Sequence, residues 1–363
     1  MMFRAGGADV RLTGFHRHAP VAPVDGVVPF DLGRTQDGRL VGRAIATVQA
    51  GLRASCLQQR VTGADVIVAR NLEMLALALR VRGGRTDIPV IYESLDIHRV
   101  LLGSGPASVL LRALEGYLAG RASALITSSP AFLDHYFEPL SRVRLPPILV
   151  ENKVFLPQGE DRAPKPVGRT PGPWRIGWFG AIRCEKSFAL LSRLTRASNG
   201  TVTVVIRGRP TAAVFPDFAR RIAAEPFMTF HGTYRNPEDL AAIYDEVDFA
   251  WAIDFFEEGQ NSDWLLPNRL YESGWAGVVP IALRHTATGE WLDRRNLGVT
   301  LERPLDASLA SFFGELPSDR YDALASCVRS QDRATWACLP AECGRFVDRL
   351  TNVDPARADA RAR

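Results

Sequence analysis

Arg183 and Lys186 are two cations three residues apart, close behind Gly177 and Gly180. They lie in the run Arg175-Ile-Gly-Trp-Phe-Gly-Ala-Ile-Arg-Cys-Glu-Lys186, which reads as a strand ending in glycines, a short loop and a helix. Glycines let backbone approach a ligand, and loop and helix amides favour an anion. Both cations could reach one diphosphate; the plain alternative is a βα turn with surface cations. The run is not G-x-G-x-x-G, so it gives no support to a nicotinamide or flavin.

Three further junctions carry chemistry-bearing side chains. In Pro267-Asn-Arg-Leu-Tyr-Glu-Ser-Gly-Trp-Ala-Gly277, Glu272 stands about five residues into a helix that opens near Pro267 and ends at the glycines. A carboxylate near a helix start can accept two hydrogen bonds from a ribose diol. It could equally form an i,i+3 ion pair with Arg269, worth about 0.2–0.5 kcal/mol. Asn268 and Arg269 belong to the same segment. The stretch 254–263 follows an apolar strand and offers Glu258, Gln260, Asn261 and Ser262, either as ligands or as a solvated loop. In Val90-Ile-Tyr-Glu-Ser-Leu-Asp-Ile-His98-Arg99, Asp96 and His98 could act on an acceptor or orient a sugar, since imidazole exchanges protons near neutrality. A lone histidine is more often structural. No second histidine stands at metal-ligand spacing, and no Ser/His/Asp order or G-x-S-x-G is present.

Short β-rich runs alternating with helical patterns must position these groups, which predicts α/β architecture with parallel sheets. Strands are expected at Val10–Phe15, Val27–Phe30, Asp65–Val68, Val90–Tyr92, Ala124–Thr127 and Ile148–Glu151, with helices near 39–60, 71–82, 106–121 and 130–138. Residues 157–173, rich in Pro, Gly and charge, read as a linker. The alternation then restarts. Strands are expected at Arg175–Phe179, Val202–Arg207, Met228–His231, Phe249–Ile253, Val278–Ala282 and Val299–Leu301. Helices fill 186–197, 213–224, 237–246, 267–276 and 286–295, with more after 304. Two domains follow, 1–156 and 174–352, and residues 353–363 read as a frayed tail. The opening MMFRAGGADVRLTGF reads as a helix end, a glycine cap and a strand. A doubly wound domain starts with its central strand, so either Val10–Phe15 takes that place in a domain built differently, or the first N-terminal strand is missing and the natural start lies upstream of Met1.

Composition excludes several classes. The 363 residues are 46% apolar and 23% charged, as in globular proteins. No run of 18 apolar residues exists, and the opening residues lack a signal-peptide pattern. Five cysteines without a CxxC pair read as reduced thiols of a cytoplasmic protein. Net charge is +4, with +5 in residues 1–156 and −1 in the remainder. The 41 Arg against three Lys reflect codon bias and give no sign of nucleic acid as a partner. On a wheel of 39–60, Arg39, Arg43, Arg53 and Arg60 share an arc of about 100°, opposite Val41, Ala44, Val48 and Leu52. That arc is either a solvated face or a peripheral contact with an anionic membrane at the inner face of the cytoplasmic membrane.

The order G-W-F-G-x-x-R-x-x-K, strand and loop with E-E-G, L-P-N-R-L-Y-E-x-G, then G-V-x-P-I-A resembles the C-terminal domain of GT-B glycosyltransferases. It is most similar to the retaining family-4 group and its succinoglycan and exopolysaccharide branch. Y-E-S-L-D-I-H-R and L-I-T-S-S-P-A-F resemble the same branch, so the likeness covers roughly residues 5–350. The resemblance implies two Rossmann-like doubly wound domains facing a cleft. It also implies that Gly180, Arg183 and Lys186 hold a donor diphosphate, that Glu272 holds the ribose, and that His98 faces the sugar. Glu258 would match the first of the family's paired glutamates, although here the two stand 14 residues apart rather than eight.

The reading is a glycosyltransferase acting on a UDP- or GDP-sugar donor and a glycan or lipid-linked saccharide acceptor, with no cofactor and no metal. It is expected to retain anomeric configuration. The alternatives are a nucleotide-sugar epimerase of the same fold and an N-terminally truncated, inactive remnant.

Overall fold

The computed structural model describes residues 1–17, 21–35, 40–52, 54–156 and 172–355. The expected linker therefore lies outside the described residues except for 172 and 173, and the expected tail except for 353–355. The chain forms two compact units, Met1–Glu151 with the segment from Leu339 onward, and Asn152–Cys338.

The first unit holds β1 (Thr13–His16), β2 (Phe30–Arg34), β3 (Ile67–Arg70), β4 (Val90–Glu93), β5 (Ala124–Thr127) and β6 (Pro147–Leu149). β3 to β6 make one parallel sheet in sequence order, while β1 and β2 form a separate parallel pair. Among the described strands, neither β1 nor β2 pairs with β3. Two cavities of about 460 and 650 Å³ are lined by residues of the segments 8–15 and 64–70 among others. The order reversal expected of a doubly wound sheet is thus not seen among the described strands of this unit.

The helix Pro340–Thr351 belongs to the first unit, not to the second domain as its sequence position suggests. Proline fits its first turn, and the Glu342 carboxylate accepts from the Leu339 amide at 3.1 Å. Cys343, Phe346 and Leu350 share one face by helical spacing, and this face is what the unit buries. Phe346 stacks 5.5 Å from Phe3, and Leu350 joins Ile91, Ala124, Ile126 and Ile148 in one core.

The helix expected over 39–60 is described as Leu40–Leu52 and Ala54–Arg60. Its described residues depart from the wheel reading. Glu73, on the helix Leu72–Arg82, bonds Arg43 and draws it inward beside buried Thr47 and Ala50. Ile45, Val48 and Leu52 are left 54%, 64% and 81% exposed. Arg60 lies over the Phe30 ring, and Arg39 and Arg53 are outside the described residues. Of the basic arc, the two described members, Arg43 and Arg60, are thus both engaged within the unit.

The second unit begins and ends with β7 (Val154–Phe155) paired to β14 (Ala337–Cys338). Between them stand β8 (Trp174–Ile182), β9 (Val202–Pro210), β10 (Met228–Phe230), β11 (Phe249–Trp251), β12 (Val279–Leu283) and β13 (Val299–Leu301). Their order across the parallel sheet is β10-β9-β8-β11-β12-β13. That is the doubly wound pattern, with its first strand central and its order reversing between β8 and β11. Helices cover both faces, so β12 is buried along its whole length and reads as an unbroken apolar run. The helix Asn268–Ala276 ends at Gly277 in the left-handed region (φ 75°), and its Gly274 presses on Trp336, where a Cβ would come within 2.1 Å of the ring.

Candidate active site

In an open parallel sheet, ligands bind beyond the carboxyl ends of the strands where strand order reverses. In the second unit that point lies between β8 and β11, and two loops meet there. After β8 come Arg183, then Cys184 at the N-cap of the helix Glu185–Ala197. After β11 comes the segment 252–260.

These loops are joined by charge. The Arg183 guanidinium lies 3.1 Å from the Asp254 carboxylate and 4.5 Å from the Phe256 ring centre. Asp254 is buried and its other oxygen accepts from the Phe256 amide at 2.9 Å, so its position is fixed. Lys186 Nζ lies 2.8 Å from both Glu258 oxygens and 4.5 Å from the Phe255 ring centre. Arg303, just past β13, bonds the same Glu258. Burial pushes the Glu258 carboxyl up, but hydrogen bonds from Lys186 and Arg303 outweigh it and hold it below the usual range.

Gly180 lies near the end of β8 opposite Gly208 in β9, and both have positive φ (101° and 137°). A Cβ on Gly208 would fall 1.8 Å from the Gly180 carbonyl oxygen, so the strand ends meet only without side chains. The space at Gly180 borders Tyr234, whose hydroxyl is 4.0 Å from where a Cβ would stand. Burial and the Glu272 charge push the Tyr234 phenol up to about 12.

Glu272 is the fifth residue of its helix and is buried. One carboxylate oxygen accepts from Tyr244 at 2.9 Å and the other from Asn236 at 3.1 Å. Burial raises its pKa, opposed by the Tyr244 bond and by the nearby charge of half-buried Arg269. Asn268 is exposed at the helix start.

The structure thus brings together Gly180, Arg183, Lys186 and Glu258 at the switch point, and links Glu272 to Gly180 through Tyr234. Asn261 and Ser262 make local bonds within their own loop. Both are buried, Asn261 donating to the Glu257 carboxylate at 2.6 Å and Ser262 accepting from the Glu257 amide at 2.8 Å, while Gln260 stands at the N-cap position of the short helix Asn261–Trp264 without a capping bond from its side chain. Asp96 and His98 are in the first unit, exposed after β4, where His98 Nδ1 accepts from the Val100 amide at 3.3 Å as a helix cap. Sequence reasoning gave no role to Asp254, Tyr234, Asn236, Tyr244 or Arg303. Four of the five follow a strand's carboxyl end within six residues, which is the signal that could have found them.

The parallel sheets of the two units, the second doubly wound, make the architecture that of a GT-B glycosyltransferase fold. Residues 2–153 match the glycosyl transferase 4-like domain. Over 357 residues the chain is 47% identical to the succinoglycan biosynthesis protein ExoL of Rhizobium meliloti (strain 1021), covering 96% of this chain and 88% of that one. Among solved structures it is similar to sucrose-phosphate synthase from Thermosynechococcus elongatus, with TM-score 0.69 and 11% identity over 97% of this chain and 92% of that one. It is also similar to HepE of Anabaena in complex with UDP, with TM-score 0.58 and 13% identity over 92% and 85%. The chain belongs to the glycosyl transferase 4-like family and is a glycosyltransferase.

Proposed function

We propose that the protein transfers a sugar from a UDP- or GDP-sugar to a glycan or lipid-linked saccharide acceptor in exopolysaccharide synthesis of the succinoglycan type. The observation that carries the reading is the switch-point cluster of Arg183 and Lys186, with Glu272 buried beyond Tyr234. It is supported by the UDP complex of HepE and by the identity to ExoL. The two cations stabilise the departing diphosphate, and Glu272 accepts from the ribose hydroxyls. Catalysis then rests on positioning and on charge stabilisation, with front-face displacement retaining the anomeric configuration and no metal or cofactor taking part.

A thermal-shift panel of nucleotide sugars, followed by NMR of the product with EDTA present, tests this. Stabilisation by a UDP- or GDP-sugar and a retained-configuration glycoside is the expected result. Loss of turnover with EDTA or an inverted product would overturn the metal-free or the retaining part. Isomerised donor without acceptor would favour the epimerase.

The site of action we propose is the cytoplasmic face of the membrane, by peripheral contact. Among the described residues no helix is long and apolar enough to cross a membrane. The first unit nevertheless exposes Ile45, Val48 and Leu52 on one helix and Val109, Leu110, Leu114 and Tyr117 on another, the helix Pro106–Ala119. Apolar helix faces of this kind settle into a lipid interface.

A further inference from the structure

Each of the switch-point cations Arg183, Lys186 and Arg303 is held by a carboxylate of the loop 252–260: Arg183 by Asp254, and Lys186 and Arg303 jointly by Glu258. Three positive and two negative charges share one small region, and the two carboxylates differ in how firmly they are fixed. The Asp254 side chain is 7% exposed and is pinned by the Phe256 amide. The Glu258 side chain is 34% exposed, and its bonds come from two solvent-accessible cations, 46% and 47% exposed. Removing one partner of a buried pair strands a charge away from water, whereas exposed pairs separate at little cost. Glu258 is therefore the carboxylate that an incoming anion can replace.

We propose that Arg303 is a third diphosphate-binding residue of this site, and that Glu258 occupies the phosphate position between Lys186 and Arg303 until the donor displaces it. The proposal rests on the donor-site reading above. Guanidinium suits the role because it presents several donors in a fixed fork that matches phosphate oxygens. Asp254 stays in place throughout and keeps Arg183 aimed.

Calorimetry with UDP and with inorganic pyrophosphate, without added metal, tests it on the full chain. The variants are Arg303→Ala, Arg303→Lys, Glu258→Gln, Arg183→Ala and Lys186→Ala, each confirmed as folded by a cooperative thermal transition above the temperature of the titration. Arg294→Ala, at an exposed arginine paired with Glu290, is the control. Arg303→Ala is expected to weaken both probes about tenfold or more, and Arg303→Lys to restore part of the loss. Glu258→Gln is expected to tighten both about threefold or more. Arg303→Ala within twofold of the parent, while Arg183→Ala and Lys186→Ala weaken binding, overturns the role of Arg303 and leaves the donor site standing. Glu258→Gln that weakens pyrophosphate overturns the displacement. Unchanged binding in all three cation variants sinks the donor-site reading and this inference with it.

Discussion

The Tyr244 hydroxyl donates to Glu272 at 2.9 Å with both side chains shut away from solvent. A carboxylate held by neutral donors keeps a fixed direction, which suits it to receive the two hydroxyls of a ribose. Tyr244→Phe should cost the fold about 1.5–3 kcal/mol, since a buried bond to a charged group is lost. It should also weaken UDP more than inorganic pyrophosphate, as should Glu272→Ala. Calorimetry with both ligands checks the difference; equal loss for both would mean that Glu272 does not meet the ribose.

Arg183→Ala and Lys186→Ala should each weaken UDP or GDP by about 1.5–3 kcal/mol, the range for hydrogen bonds to charged groups. Lys186 pairs with the part-exposed Glu258, so Lys186→Ala should hardly touch the fold, whereas Arg183→Ala also leaves the buried Asp254 carboxylate unpaired and should lower the melting temperature. Titration calorimetry beside a thermal melt separates the two effects.

Glu115 offers a test by pH. It is fully buried in the first unit, accepting from Tyr92 at 2.8 Å and from Tyr136. Burial raises its pKa from 4.5 despite the two tyrosine bonds. The folded protein then binds this proton more tightly than the unfolded chain. The stability it confers is full below pH 4.5 and is lost as pH climbs through the raised value. Glu115→Gln removes that slope, so melting temperatures of parent and variant should diverge as pH rises above 4.5, with the variant gaining at the alkaline end. Parallel curves would show that Glu115 titrates normally.

The outward apolar residues of the helix Leu40–Leu52 predict a surface effect without a stability effect. Val48→Ser with Leu52→Ser should reduce co-sedimentation with anionic vesicles severalfold and shift unfolding by no more than about 0.5 kcal/mol per site. Undiminished vesicle binding by the double variant would remove this face as the contact.

Much of the second unit was legible in its sequence because its strands are buried runs bounded by glycine and polar loops. All six sheet strands were expected within a few residues, and Arg183, Lys186 and Glu258 do meet at the switch point. What escaped depends on distance along the chain. Nothing local to Arg303 reveals that it lies beside Lys186, 117 residues earlier. Likewise the helical period of 340–351 predicts a buried face but not which core takes it, and Phe3 and Ile91 do. The inward turn of Arg43 was hidden for the same reason, since its partner is Glu73 on another helix.

The return of the helix Pro340–Thr351 to the first unit sets an order of events during synthesis. The second unit is complete once Cys338 has emerged, with every strand of its sheet already made. The first unit, begun earlier, still lacks Phe346 and Leu350, and its apolar surface near Phe3 and Ile91 stays open until they arrive. On the ribosome the half that starts first is the half that finishes last, and a chaperone guarding the nascent chain would find its binding surface there.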